Sequence, residues 1–168
     1  MKRILIIIIS MSLFSNLELL AQANLYSVQN KSLVYFNPSY SREDGQKDGE
    51  LKQVIVDGQK TIVKIKFYST NDFWHISNNT YIMCKNPENF EEIIYLKNAF
   101  CVTKQGKYNI KTGYNYYDRH SFNLEMNQPY IIELHFNRLP IKCKIFDLIE
   151  PGGPFCKAEM FWENILLK

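Results

Sequence analysis

A chain of 168 residues with 20 Lys and Arg against 17 Asp and Glu carries a formal net charge of only +3 at pH 7. The excess is small and spread along the chain, which excludes an electrostatic footprint of the kind that binds nucleic acid or an acidic membrane. Hydrophobic residues at 46% are enough to bury a core, which excludes a disordered chain.

The N-terminus reads Met1-Lys2-Arg3, an apolar run from Ile4 to Ile9, a stretch to Leu20, and Ala21-Gln22-Ala23. A basic region, a short apolar region and a small-x-small site are the three parts of a secretory signal, so residues 1–23 are predicted to be a cleavable signal peptide. The apolar run is shorter than the roughly 20 residues a bilayer-spanning helix needs, and Glu18 follows it closely. No cysteine follows it that could be lipidated. The expectation is export without stable membrane insertion, to the periplasm or the extracellular space. Residues 24–168 are then expected to form a single β domain, with an N-terminal strand and a long loop within 24–50.

Past the signal, apolar residues recur at period two, the mark of half-buried strands. Strands are predicted at Ser32–Phe36 and Leu51–Val56. At Thr61–Phe67, Val63, Ile65 and Phe67 alternate with Lys64 and Lys66, giving one core face and one wet face. Further strands are expected at Thr80–Met83 and Glu92–Leu96. At Tyr130–Phe136, Tyr130, Ile132, Leu134 and Phe136 alternate with Glu133 and His135. Lys142–Glu150 and Met160–Leu167 complete the series. Asp57-Gly58 predicts a hairpin, on the ground that glycine tolerates the positive φ such turns use. Ser77-Asn78-Asn79, Lys85-Asn86-Pro87, Gln105-Gly106 and Pro151-Gly152-Gly153-Pro154 are the other turn signals. The pattern is all-β and points to a sandwich or barrel.

All four cysteines, Cys84, Cys101, Cys143 and Cys156, fall after the signal, and an oxidising compartment allows up to two disulfides in any of three pairings. Their wide spacing offers neither a zinc pair nor a redox C-x-x-C, so no metal or cofactor is expected.

The segments Thr61-Ile62-Val63-Lys64-Ile65, Ile76-Ser77-Asn78-Asn79-Thr80-Tyr81-Ile82, Ile131 through Pro140, and Phe146-Asp147-Leu148-Ile149-Glu150 follow a familiar order. Together they resemble an immunoglobulin-like β-sandwich module of exported bacterial proteins, of the kind sometimes found ahead of thioredoxin-like domains. The resemblance covers residues 54 to 167 and implies an antiparallel sandwich of about 7–9 strands, with no catalytic residues. Asn137-Arg138-Leu139-Pro140 departs from the module's F-x-P-L-P turn, and no redox role carries over.

Nucleophilic catalysis needs a histidine near a Ser or Cys and an orienting carboxylate. His120 has Asp118, Arg119 and Ser121 beside it, but neighbours on a strand point to opposite faces. His135 reads as an outer-face residue and His75 as a polar strand position. Glu91-Glu92 splits between faces in the same way, and Asp147 and Glu150 belong to a structural motif, so paired-acid hydrolysis has no support. The expectation is therefore a non-enzymatic secreted module that binds a protein or glycan. Its expected surface is the tyrosine-rich stretch Tyr108–His120, with Tyr108, Tyr114, Tyr116, Tyr117, Arg119 and His120 as contact residues, because Tyr with Asn, Gly and Arg is the mix of binding surfaces. Trp74 is a candidate sugar-stacking ring. The alternatives are a lipocalin-like carrier of a small apolar ligand, which lacks the expected Gly-x-Trp start, and a hydrolase using His120 or His135.

Overall fold

The computed structural model describes residues 32–41, 49–68, 73–74, 76–85, 91–110, 117–118, 125, 128–151 and 160–168. Every regular element in them is a β-strand: β1 Leu33–Phe36, β2 Gly49–Val56, β3 Lys60–Tyr68, β4 Phe73–Trp74, β5 Tyr81–Lys85, β6 Glu91–Val102, β7 Lys107–Ile110, β8 Tyr117–Asp118, β9 Pro129–Asn137, β10 Ile145–Glu150 and β11 Met160–Leu166. All pairings are antiparallel, in the order β1-β2-β3-β9-β6-β5-β10-β11, with β7 also on β6 and β4 paired with β8 as a separate ribbon.

The alternation at β3 and β9 is realised as predicted. Val63 and Ile65 are buried on the same side as Ile132, Leu134 and Phe136, with Val63 opposite Leu134 and Ile65 opposite Ile132. The hairpin at Asp57 also forms, but its chemistry differs from the expectation. The residues with positive φ among those described are Asn37, Asn164 and Gly106, so Gly58 does not use that freedom. Instead Asp57 Oδ1 accepts the N–H groups of Gln59 (2.8 Å) and Lys60 (2.7 Å), an Asx turn that ties the chain back on itself.

β6 is longer than predicted because it serves two arms of the sheet. Glu91–Tyr95 pairs with β5, and Leu96–Val102 pairs with β9, with an irregularity in register between Leu96 and Asn98. A bulge bends a strand and raises its twist, and here it separates a β3 arm (β1, β2, β3, β9, late β6, β7) from a β10 arm (early β6, β5, β10, β11).

The sheet then curls until its ends meet. Asn37, at φ 44°, turns the chain out of β1. Ser41 and Glu163 exchange backbone hydrogen bonds of 2.7 and 3.0 Å, and Leu166 N–H donates to Ser39 O at 3.0 Å, so the segment after β1 lies along β11. Inside, the Trp162 ring of β11 stands edge-on to Phe67 of β3 at 6.4 Å, although four strands separate them in the sheet. Gly49 is needed at this point, because a Cβ there would come within 2.7 Å of the Phe67 ring. Trp162, Phe136, Phe146, Ile82 and Leu148 fill the interior, and burying each such side chain is worth about 2 kcal/mol.

Cys84 on β5 is disulfide-bonded to Cys143, 59 residues on, just ahead of β10. Cys101 is a free thiol instead, fully buried on β6, where burial pushes its pKa up to about 12. A buried neutral thiol is inert packing material. Cys156 lies outside the described residues.

Candidate functional site: two outer faces and an end cleft

The outer face of the β3 arm carries a charged cluster. Lys64 on β3 and Glu133 on β9 are paired across the strands, and Phe100 of β6 stands opposite Glu133 on its other side. Glu133 receives Lys64 at 3.1 Å, Lys107 of β7 at 2.5 Å and the His135 ring at 3.3 Å. Lys107 lies 4.4 Å over the Phe100 ring, which also contacts the His135 ring at 4.8 Å. Burial alone would raise the Glu133 carboxyl, but the hydrogen bonds from Lys107, Lys64 and His135 outweigh it and hold the pKa at about 2. Burial lowers the His135 pKa, the Glu133 hydrogen bond opposes this, and Lys107 adds to the lowering. The cluster therefore stores a fixed carboxylate among two ammonium groups and a neutral imidazole. Among the described residues, none of its hydrogen-bond partners is a Ser or Cys nucleophile.

The outer face of the β10 arm is apolar. Tyr81 stands opposite Tyr95 and Met83 opposite Ile93, with the tyrosine rings 5.9 Å apart. Ile93 is 48% and Tyr95 57% exposed. Beside them Asp147 is buried, bonded to Lys85 at 2.8 Å and accepting the Asn164 N–H at 2.8 Å. Asn164 has a positive φ, and the β10–β11 register shifts here, so Asp147 pins this bulge. Glu150, on the inner face, accepts the Ser77 N–H at 2.6 Å and so anchors the turn before β5. Burial pushes its pKa up to about 7 against that hydrogen bond. Both acids of the Phe146–Glu150 motif hold backbone.

The third feature is a cleft of about 120 Å³ at one end of the curled sheet. Leu33, Tyr35, Leu139, Ile141 and Leu167 supply apolar walls, and Arg138 and Lys144 supply the charge.

Of the tyrosine-rich stretch, Tyr108 is partly buried and packs against the core from the inner side of β7. Tyr117 lies on β8, whose backbone sets it opposite Trp74 of β4. Tyr114, Tyr116, Arg119 and His120 lie outside the described residues. The structure brings together Glu133, His135 and Lys64, which the sequence places at separate outer-face positions, and adds Lys107, which the sequence does not single out. The signal available was that Lys64 and Glu133 both occupy the wet face of strongly alternating strands.

Among the described residues no group of three His, Cys, Asp or Glu could hold a metal ion, and no helix is long and apolar enough to cross a membrane. No family model, no curated protein and no solved structure matches the chain.

Proposed function

We propose that this chain is an exported, non-enzymatic module of immunoglobulin-like β-sandwich type that binds a protein partner through the outer face of the β10 arm. The observation that carries the reading is the exposed pair Ile93 and Tyr95 with the half-buried Tyr81 and Met83 opposite them on the paired strand. Tyrosine, methionine and isoleucine on a rigid platform offer contact area at low entropic cost, and aromatic residues and Met are enriched at interfaces. The sandwich reading is supported by the two arms packing inner face to inner face through Phe67 and Trp162. Export is supported by the disulfide Cys84–Cys143, which an oxidising compartment favours, and by the N-terminal signal.

The test is site-specific crosslinking. A photoreactive phenylalanine analogue at position 95 should trap one protein of defined mass in the producing cells, and the same group at Lys104, in the exposed β6–β7 turn, should not. Equal labelling from both positions, or trapping of glycan rather than protein at position 95, would overturn the assignment.

A further inference from the structure

The end cleft is built by a short stretch of chain that is held at each step. Arg138 leaves β9, and the Leu139 N–H donates to the buried Thr61 Oγ1 at 2.9 Å. Cys143 N–H closes a turn onto Pro140 O at 2.9 Å, its sulfur is bonded to Cys84, and Leu167 N–H donates to Lys144 O at 2.9 Å. The walls are therefore formed before anything binds, which is what lowers the entropic cost of capturing a ligand. Two aliphatic side chains line this cleft yet stay open to solvent: Leu33 is 45% and Ile141 56% exposed.

Arg138 is a polar group of this cleft without a side-chain partner among the described residues. Its Nε is buried and has no hydrogen-bond partner, and among the described residues no carboxylate lies within ion-pair distance of its guanidinium. Asp57 feels the Arg138 charge but has committed Oδ1 to the N–H groups of Gln59 and Lys60. A buried donor without an acceptor is unfavourable, and the terminal Nη groups of a guanidinium can take a carboxylate through two parallel N–H groups. A cavity of about 150 Å³ accommodates benzene, so 120 Å³ suits a group of similar or slightly smaller size.

We infer that the cleft between β1 and the Arg138–Lys144 loop binds a small apolar monocarboxylate, its hydrocarbon against Leu33, Leu139, Ile141 and Leu167 and its carboxylate on Arg138, with Lys144 adding positive charge. This is separate from the partner face on the β10 arm. The same chemistry is presented by a free aromatic or branched acid and by the C-terminal residue of a peptide.

The experiment is a titration of ¹⁵N-labelled protein, disulfide intact, followed by NMR at the Arg138 Nε–H and the backbone amides of Leu139, Ile141 and Leu167. Benzoate and N-acetyl-phenylalanine are the probes, and benzyl alcohol is the uncharged control. Saturable millimolar shifts at these four positions are expected for the acids, with benzyl alcohol at least tenfold weaker. Tighter binding of benzoate points to a free acid, and tighter binding of N-acetyl-phenylalanine to a chain terminus. Arg138→Gln should lower acid affinity at least tenfold. Ile141→Glu, at an exposed position, should do the same by repulsion and keeps the test open if the arginine variant fails to fold. Shifts scattered away from the cleft, no saturation, or equal binding of acid and alcohol would overturn the proposal.

Discussion

The two outer faces of this curled sheet obey one rule of construction and arrive at opposite surfaces. On both arms, alternate residues go to the shared core, and Ile132 and Leu134 are buried on β9 as Ile82 and Leu148 are on β5 and β10. On the β3 arm the remaining positions neutralise one another, with Glu133 clamped by Lys64, Lys107 and His135. On the β10 arm they are Tyr81 and Met83, half-buried, and Ile93 and Tyr95, exposed, none of which carries a charge. Alternation thus decides which side of a strand is inside, while the cross-strand neighbours decide what the outside is for.

Because both arms rest on the same interior, the largest loss should come where they meet. Trp162→Ala should cost about 4 kcal/mol in urea unfolding, and a cost below about 1 kcal/mol would mean that the arms do not pack through Phe67 and Trp162. The outer faces should then separate. Glu133→Gln should cost about 2 kcal/mol, since it strands two lysines and a histidine around a half-covered site. A double-mutant cycle with Lys107→Met tests this, because independent effects would show that the two groups do not form a working pair.

The two buried glutamates should titrate in opposite senses. Glu133 sits at about 2 in the fold against an ordinary 4.5, so as pH falls the unfolded chain takes up the proton first. Its contribution is whole above about pH 4.5 and is lost as pH drops towards 2. Glu150 sits at about 7 against an ordinary 4.5, so as pH rises the unfolded chain releases the proton first. Its contribution is whole below about pH 4.5 and is lost as pH climbs through 7. Melting temperature against pH should therefore lose its acid limb in Glu133→Gln and flatten between pH 5 and 7 in Glu150→Gln, and swapped behaviour would break the assignment of inner and outer acid. The smallest effect is expected on the apolar face, where Tyr95→Ala should change stability by within about 0.5 kcal/mol while abolishing partner crosslinking nearby.

Much of the fold was legible because it rests on local periodicity. The strands at 61–67 and 130–136 are each one residue longer at both ends in the structure, at Lys60–Tyr68 and Pro129–Asn137. The hairpin at Asp57 was located correctly, although an Asp side chain and not glycine's freedom closes it. β7, Lys107–Ile110, overlaps the start of the stretch Tyr108–His120, whose tyrosine-rich composition reads as a binding surface. Only pairing with β6 shows that Tyr108 turns inward. The length of β6 was missed for a related reason: the bulge after Leu96 breaks the alternation that marks its first half.

The candidate sites were less legible than the fold. Glu133 and His135 are two residues apart, but the lysines that define their chemistry come from positions 64 and 107. The end cleft joins Leu33, Arg138 and Leu167, which no local pattern relates. Four cysteines permitted three pairings, and the choice of Cys84 with Cys143 depends on β5 and the approach to β10 lying side by side.

What the sequence determined by itself is therefore the all-β class, the inward face of strands such as β3 and β9, and the turns at Asp57, Ser77–Asn79 and Gln105–Gly106. These follow from covalent neighbours and a side-chain period of two. Only the tertiary structure decided the strand order, the curl that seats Trp162 on Phe67, the disulfide, and which polar groups are paired or left over. Those depend on residues far apart in the chain coming within a few ångströms of one another, a condition set by the packing of the whole sheet.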